Sequence, residues 1–408
     1  MMVKSRYVVP VDGPVIENGA VVIDDGRIAA VGRALDLQVA PFIDYGDAVI
    51  CPGFVNANTH LELTLLAGEV PASSDFVDWL RRLTGLLIAR PANPENVAQA
   101  VRAGIAQSLA AGVTTIGDIT RRPAWSREPL AASPIRAVSF GEVIAMGRLR
   151  TQLNDRLEAA ASIEHQRKRL HIGISPHAPY TIEPEGLRAC ADRAERMRAR
   201  LCIHLAETAD EEVFARTRGG RFVGLLQELG IWDDDIPTVY CSPVELCRAT
   251  GVLSRNTLIA HGNYVSDGDI KMIAESGASV AYCPRTHCAF GHPPHRFREM
   301  LEAGINVCIG TDSLASNPSL SILDELRFLH GRHPDVPAHD LLKMGTLRGA
   351  AALGWSKEVG SLTMGKAADL VVLPLETSVA VAGWESVLES TQTPIAVYID
   401  GVQNLKGI

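Results

Sequence analysis

Residues 48–60 read AVICPGFVNANTH: an apolar run, Pro52-Gly53, a second apolar run, and a polar end at Asn58, Thr59 and His60. Seven later stretches repeat the pattern of a short apolar strand with a polar residue at or just past its end. They are VTTIGDIT (113–120), IRAVSFGEVI (135–144), LHIGISPHAPY (170–180), LCIHLAET (201–208), TLIAHGNYV (257–265), SVAYCPRTH (279–287) and INVCIGTDS (305–313). Helical stretches separate them. Eight strand-then-helix units in series predict a closed (β/α)8 TIM barrel within the α/β class, and such barrels carry their chemistry where the strands end. Those ends would bring His60, Asp118, Glu142, His177, His204, His261, His287 and Asp312 to one mouth. A metal or acid–base centre is therefore expected there.

Outside this run the rhythm changes. AVVIDDGRIAAVG (20–32) alternates around Asp25-Gly26, a dipeptide suited to a two-residue hairpin turn. Strand-like segments return in GSLTMGKAADLVVLPL (360–375) and IAVYIDGVQ (395–403), with a second turn signal at Asp400-Gly401. The two ends of the chain are expected to build one small β-sandwich, from residues 1–52 and 360–408, around a hydrolase barrel at 53–359.

Across 408 residues, 47% apolar and 21% charged content describes a globular chain able to bury a large core. A net charge of -8 argues against nucleic-acid partners, which require a basic face. No apolar run reaches the length of a membrane span, and the first residues lack the apolar stretch of a signal peptide. A cytoplasmic protein acting on small molecules is expected, with a homo-oligomer left open. The eight cysteines form no CxxC pair and are expected as buried free thiols.

The segments PGFVNANTHLEL, SPHAPYT, IHLAET, AHGNYV, CPRTH and IGTDSLASNPSLSILDEL, in that order, closely resemble the amidohydrolase superfamily. Within it they resemble the branch of metal-dependent deaminases and chlorohydrolases acting on adenosine-like and related rings, with a leaning toward the aminodeoxyfutalosine-deaminase-like group. The resemblance implies one divalent metal ion, zinc first, with iron or manganese as alternatives. His60, His204 and Asp312 occupy ligand positions, and Asn58 stands where the family has a further histidine. It also implies that Glu207 protonates a ring nitrogen, while His261 with Asp312 takes a proton from the attacking water. His177 resembles a substrate-contacting histidine. In DFVDWLRRLTGLLIAR (75–90), Phe76, Trp79, Leu80 and Leu83 fall at helical spacing; Trp79 could stack on a ring, Arg81 or Arg82 could meet a carboxylate, and His287 could line the same pocket.

The implied activity is hydrolytic deamination of an adenine-like ring, of the aminodeoxyfutalosine or S-adenosylhomocysteine/methylthioadenosine type. A triazine chlorohydrolase remains the alternative enzyme. Positions 58 and 60 share strand parity, so both face the barrel axis. An amide oxygen is a weaker zinc ligand than imidazole, so Asn58 should lower metal affinity. That leaves an active enzyme with an altered site, a weakened relative used for binding or scaffolding, or a residue that is not the natural one. Glu207, His261 and Asp312 all stand, which favours activity. Thr208 and Glu211 are expected to form a capping box that starts a helix and fixes the Glu207 backbone.

Overall fold

A computed structural model describes residues 1–37, 39–375 and 383–406. Strands β1 (Met2–Val8), β2 (Ile16–Asp24), β3 (Arg27–Arg33), β4 (Phe42–Asp44) and β5 (Ala48–Pro52) come first. The barrel strands follow as β6 (Phe54–Thr59), β7 (Val113–Thr120), β8 (Arg136–Glu142), β9 (Leu170–Ser175), β10 (Leu201–Leu205), β11 (Thr257–His261), β12 (Ser279–Tyr282) and β13 (Asn306–Ile309). Strands β14 (Leu370–Pro374), β15 (Ala396–Ile399) and β16 (Val402–Lys406) complete the chain.

Neighbours from β6 to β13 pair in parallel and in chain order. The seam closes where β6 meets the end of β13: Thr59 bridges Asp312, and the Asn58 carbonyl accepts the Thr311 and Asp312 N–H groups at 3.1 and 3.0 Å. Gly310 permits this approach, because a Cβ there would lie 2.7 Å from the Asn58 Cβ. The eight-stranded barrel read from the sequence is thus present, and its closure brings Asn58 and Asp312 together.

The terminal strands form one hydrogen-bonded sheet in the order β16-β15-β14-β5-β1-β2-β3, with β4 paired to β1. Val3, Val21, Ile28, Ile50, Leu370 and Tyr398 collect in one core, which is how this sheet realises the expected small β domain. Both turn signals hold. Asp25 and Gly26 have φ of 44° and 74°, and Asp400 and Gly401 have 47° and 72°, the left-handed pair such a turn requires. Residues 376–382 and 407–408 of the expected C-terminal part lie outside the described residues.

The β domain is fastened at the end of the barrel opposite the mouth. Arg136, the first residue of β8 and fully buried, holds Asp369 at 2.9 Å, and Arg169 holds Asp400 at 3.0 Å. The described cysteines are all free; six are buried, Cys241 is half-buried and Cys288 is exposed. No helix among the described residues is long and apolar enough to cross a membrane.

Candidate active site

His60 directly follows β6, Glu142 ends β8, His177 follows β9, His204 lies in β10, His261 ends β11 and Asp312 follows β13. Ala206, His261 and Asp312 carry positive φ values of 52°, 75° and 59°. Non-glycine residues adopt this conformation at a cost, and its appearance at three strand ends of one barrel mouth marks a functional constraint. The 206–207 backbone is held by Glu211, whose buried carboxylate accepts the Ala206 N–H at 2.9 Å and the Glu207 N–H at 3.0 Å. A helix begins where expected, at Ala209–Thr217 with Thr208 as its N-cap. The capping box itself does not form: the Glu211 oxygens are taken by the turn before the cap, which fixes Glu207 by another route.

His60 Nε2 lies 3.2 Å from His204 Nε2 and 3.4 Å from Asp312 Oδ1. His204 Nδ1 donates to the His177 carbonyl at 3.0 Å, which leaves the Nε2 lone pair facing the site. Two ligand atoms each about 2.0–2.1 Å from a tetrahedral zinc ion stand about 3.3 Å apart, so these spacings fit side chains sharing one ion. Asn58 fits less well. Its side chain is fully buried, Nδ2 donates to Cys283 Sγ at 3.5 Å, and Oδ1 has no hydrogen-bond partner. That orphaned amide oxygen marks the place of the missing imidazole.

The proton-handling groups lie beside this cluster. Glu207 Oε1 is 3.3 Å from His261 Nε2. Burial, then Asp312 and Glu211, push the Glu207 carboxyl well above its usual range, which favours its protonated form. Burial, then the surrounding histidines, holds His261 well below the usual imidazole value, so it is neutral. Burial raises Asp312 while His60 opposes the shift, and Ser316 donates to its Oδ2. His177 and His204 are both pushed down to about 3, chiefly by burial. A carboxyl whose pKa is raised and imidazoles whose pKa values are lowered share one mouth, an arrangement suited to general acid–base catalysis.

A cavity of about 430 Å³ opens over these groups. One wall is apolar, from Phe76, Trp79, Leu83, Phe222, Leu226 and Ile231; the other carries Arg121, Arg122 and Arg156. The stripe on helix Phe76–Ala89 both packs and lines: Trp79 donates to the Val70 carbonyl at 3.0 Å, stacks edge-on against Phe290 and presents a face to the cavity. His177 also lines it. Arg81, Arg82 and His287 are not among the residues that line this cavity. Arg81 pairs with Glu228 at 2.6 Å and Arg82 with Asp78 at 3.1 Å, because the helix turns them away from its apolar face. His287 packs edge-on against Tyr282, behind the cavity wall. Arg121, Arg122, Arg156 and Tyr180 were not legible as site residues; the RR pair just after GDIT, at a strand end, was the available signal.

Glu62, two residues past His60, is engaged at the end of β7. It accepts from Thr120 Oγ1 at 2.9 Å and from the Arg121 N–H at 3.0 Å, so it shapes the loop that presents Arg121. Asp118, fully buried, accepts the Leu61 N–H at 2.9 Å, and its second oxygen has no hydrogen bond. Burial pushes its carboxyl up to about 8. Below the ordinary aspartate value the group is protonated in both folded and unfolded chains. As pH rises toward the folded value, only the unfolded chain releases the proton, and stability falls by about 1.4 kcal/mol per pH unit. Asp118→Asn removes that dependence, so its stability relative to the parent should rise by several kcal/mol between about pH 5 and pH 8. Thermal or denaturant unfolding at both pH values checks this; a constant difference contradicts it.

A closed barrel whose mouth gathers imidazoles and a carboxylate at ligand spacing, beside a buried acid, has the layout of a metal-dependent hydrolase. The Amidohydrolase family profile matches residues 49–403, and the chain belongs to that family. The chain is 32% identical over 394 residues to the 5-methylthioadenosine/S-adenosylhomocysteine deaminase of Moorella thermoacetica, covering 92% of this chain and 86% of that protein. Among solved structures it is similar to Helicobacter pylori aminofutalosine deaminase in complex with methylthio-coformycin, with a TM-score of 0.86, 23% identity, and coverage of 99% of this chain and 100% of that one. It is also similar to atrazine chlorohydrolase TrzN from Arthrobacter aurescens TC1 complexed with zinc, with a TM-score of 0.82, 21% identity, and coverage of 100% and 95%.

Proposed function

We propose that this chain is a hydrolytic deaminase that replaces the amino group of an adenine-like ring with a keto oxygen and releases ammonia. The observation that supports it most is the buried Glu207 carboxyl, its pKa raised by burial, 3.3 Å from His261 and beside the His60, His204 and Asp312 cluster. Deamination requires such an acid for the ring nitrogen. His60, His204 and Asp312 would hold one divalent ion, zinc by the chemistry of the donor set, with the Asn58 amide a poor replacement for the fourth imidazole. When bound, the ion supplies Lewis-acid activation of the attacking water.

The chain's own groups move the protons. Asp312 and His261 Nε2 take the proton from water as its oxygen attacks the amino-bearing carbon. Glu207 gives its carboxyl proton to the adjacent ring nitrogen as electron density moves there. The proton taken from water reaches the amine, which departs as ammonia while the remaining hydroxyl proton returns to Glu207, and the ring keeps the keto oxygen. Trp79 and the apolar wall exclude water and seat the ring and its substituent.

The arginine rim supports a substrate whose tail carries a carboxylate. Arg122 donates to the Arg121 carbonyl at 3.3 Å and Arg156 donates to Gln152 at 2.8 Å, and neither pairs with a carboxylate among the described residues. S-adenosylhomocysteine, whose tail ends in a carboxylate, should therefore turn over with a higher kcat/KM than methylthioadenosine. An ammonia-coupled assay on both, with zinc added, tests the proposal. Turnover of hydantoin or dihydropyrimidine without any deamination would refute it. Small-molecule chemistry inside the cell, by a barrel at 53–359 flanked by a β domain from 1–52 and 360–408, completes the proposal.

A further inference from the structure

Among the described residues, the set of three potential ligand atoms lying within 4.8 Å of one another is not on strand β6. It comprises Glu142, His177 and His204. Their hydrogen bonds fix which atoms face one another. Thr181 Oγ1 donates to the Ala178 carbonyl at 3.0 Å, so it accepts from His177 Nδ1 at 2.6 Å and leaves the His177 Nε2 lone pair bare. That lone pair lies 3.6 Å from Glu142 Oε1. His204 Nδ1 is spent on the His177 carbonyl, so its Nε2 is also a lone pair. Glu142 Oε2 is buried without a hydrogen bond, and Arg121 Nε stands 3.5 Å from it.

Three potential electron-pair donors therefore converge, in a pocket where Glu142 is 8% and His204 6% exposed. Buried acceptors facing each other repel unless a cation lies among them. Two imidazoles and a carboxylate with an open fourth position are also a donor set suited to catalytic zinc.

We propose that Glu142 and His177 supply the coordination lost at Asn58, drawing the ion held by His204 toward the ends of β8 and β9. Asn58 turns its amide nitrogen to Cys283, and the site recovers an imidazole and a carboxylate from two neighbouring strands. The inference rests on the metal-dependent reading above but not on the reaction, because metal is read without turnover.

The test is zinc affinity by chelator competition, with zinc alone as the probe, on the full chain and on Glu142→Gln, His177→Ala, Asn58→His and the two double variants carrying Asn58→His. Glu142→Gln keeps size and polarity, and unfolding curves show that each variant is folded. Glu142→Gln and His177→Ala should each lower zinc affinity by about 10-fold or more in the parent. In the Asn58→His background the same substitutions should leave affinity unchanged, because position 58 again supplies its imidazole. Zinc affinity unaltered by both substitutions in the parent overturns the proposal, and so does an equal loss in both backgrounds. A chain that passes this test and releases no ammonia refutes the deaminase reading alone.

Discussion

Glu207→Gln should lower kcat by about 100-fold or more while metal content stays at the parental level. The substitution keeps the size of the side chain and its capacity for hydrogen bonds, and removes the proton that the ring nitrogen must receive. Glu207 is not held by its own carboxylate: Glu211 fixes its N–H and Asn263 Nδ2 its carbonyl, at 3.0 Å each, so the backbone should survive the change. The neutral amide also suits a site whose burial already disfavours the charged carboxylate. Measuring kcat beside metal stoichiometry decides it. Loss of metal, or near-parental turnover, would show that Glu207 has another role.

His204→Ala should remove metal and activity together. The imidazole is the common element of both ligand groupings: its Nε2 lies 3.2 Å from His60 Nε2 and belongs to the cluster with Glu142 and His177. No neighbouring side chain can reach the same point from β10, because Leu205 faces the other side of the strand and Cys202 lies two residues deeper. Elemental analysis of dialysed protein, with and without added zinc, is the check. A variant that retains one ion per chain would place the ion away from His204.

What the sequence displays about this fold is what local pattern can carry. Apolar runs ending in His60, His204 and Asp312 announce parallel strands and their mouth, because strand ends and turn residues are local properties. Glycine turns at Asp25-Gly26 and Asp400-Gly401 likewise name the terminal hairpins. Arg81 and Arg82 lie off the cavity lining because adjacent helix positions diverge by about 100°, and the face that packs inward is set by Trp79 and Leu83 rather than by charge. Glu211 looked like a capping residue by spacing, yet the strained Ala206 backbone offers it two N–H groups that a propensity rule does not see. Arg156 enters the cavity from the helix after β8, a long-range placement for which no local signal exists. The pairing of Glu142 with His177 is of the same kind, since it depends on side-chain direction at two strand ends.

The most direct test of the account is product analysis after incubating the zinc-loaded protein with S-adenosylhomocysteine in heavy-oxygen water. The expected product carries one solvent-derived oxygen where the amino group stood, with one ammonia released per molecule converted. Recovery of the nucleoside unchanged, while a chlorotriazine under the same conditions loses chloride, would contradict the deaminase account and place the chain with the halide-displacing members of its family.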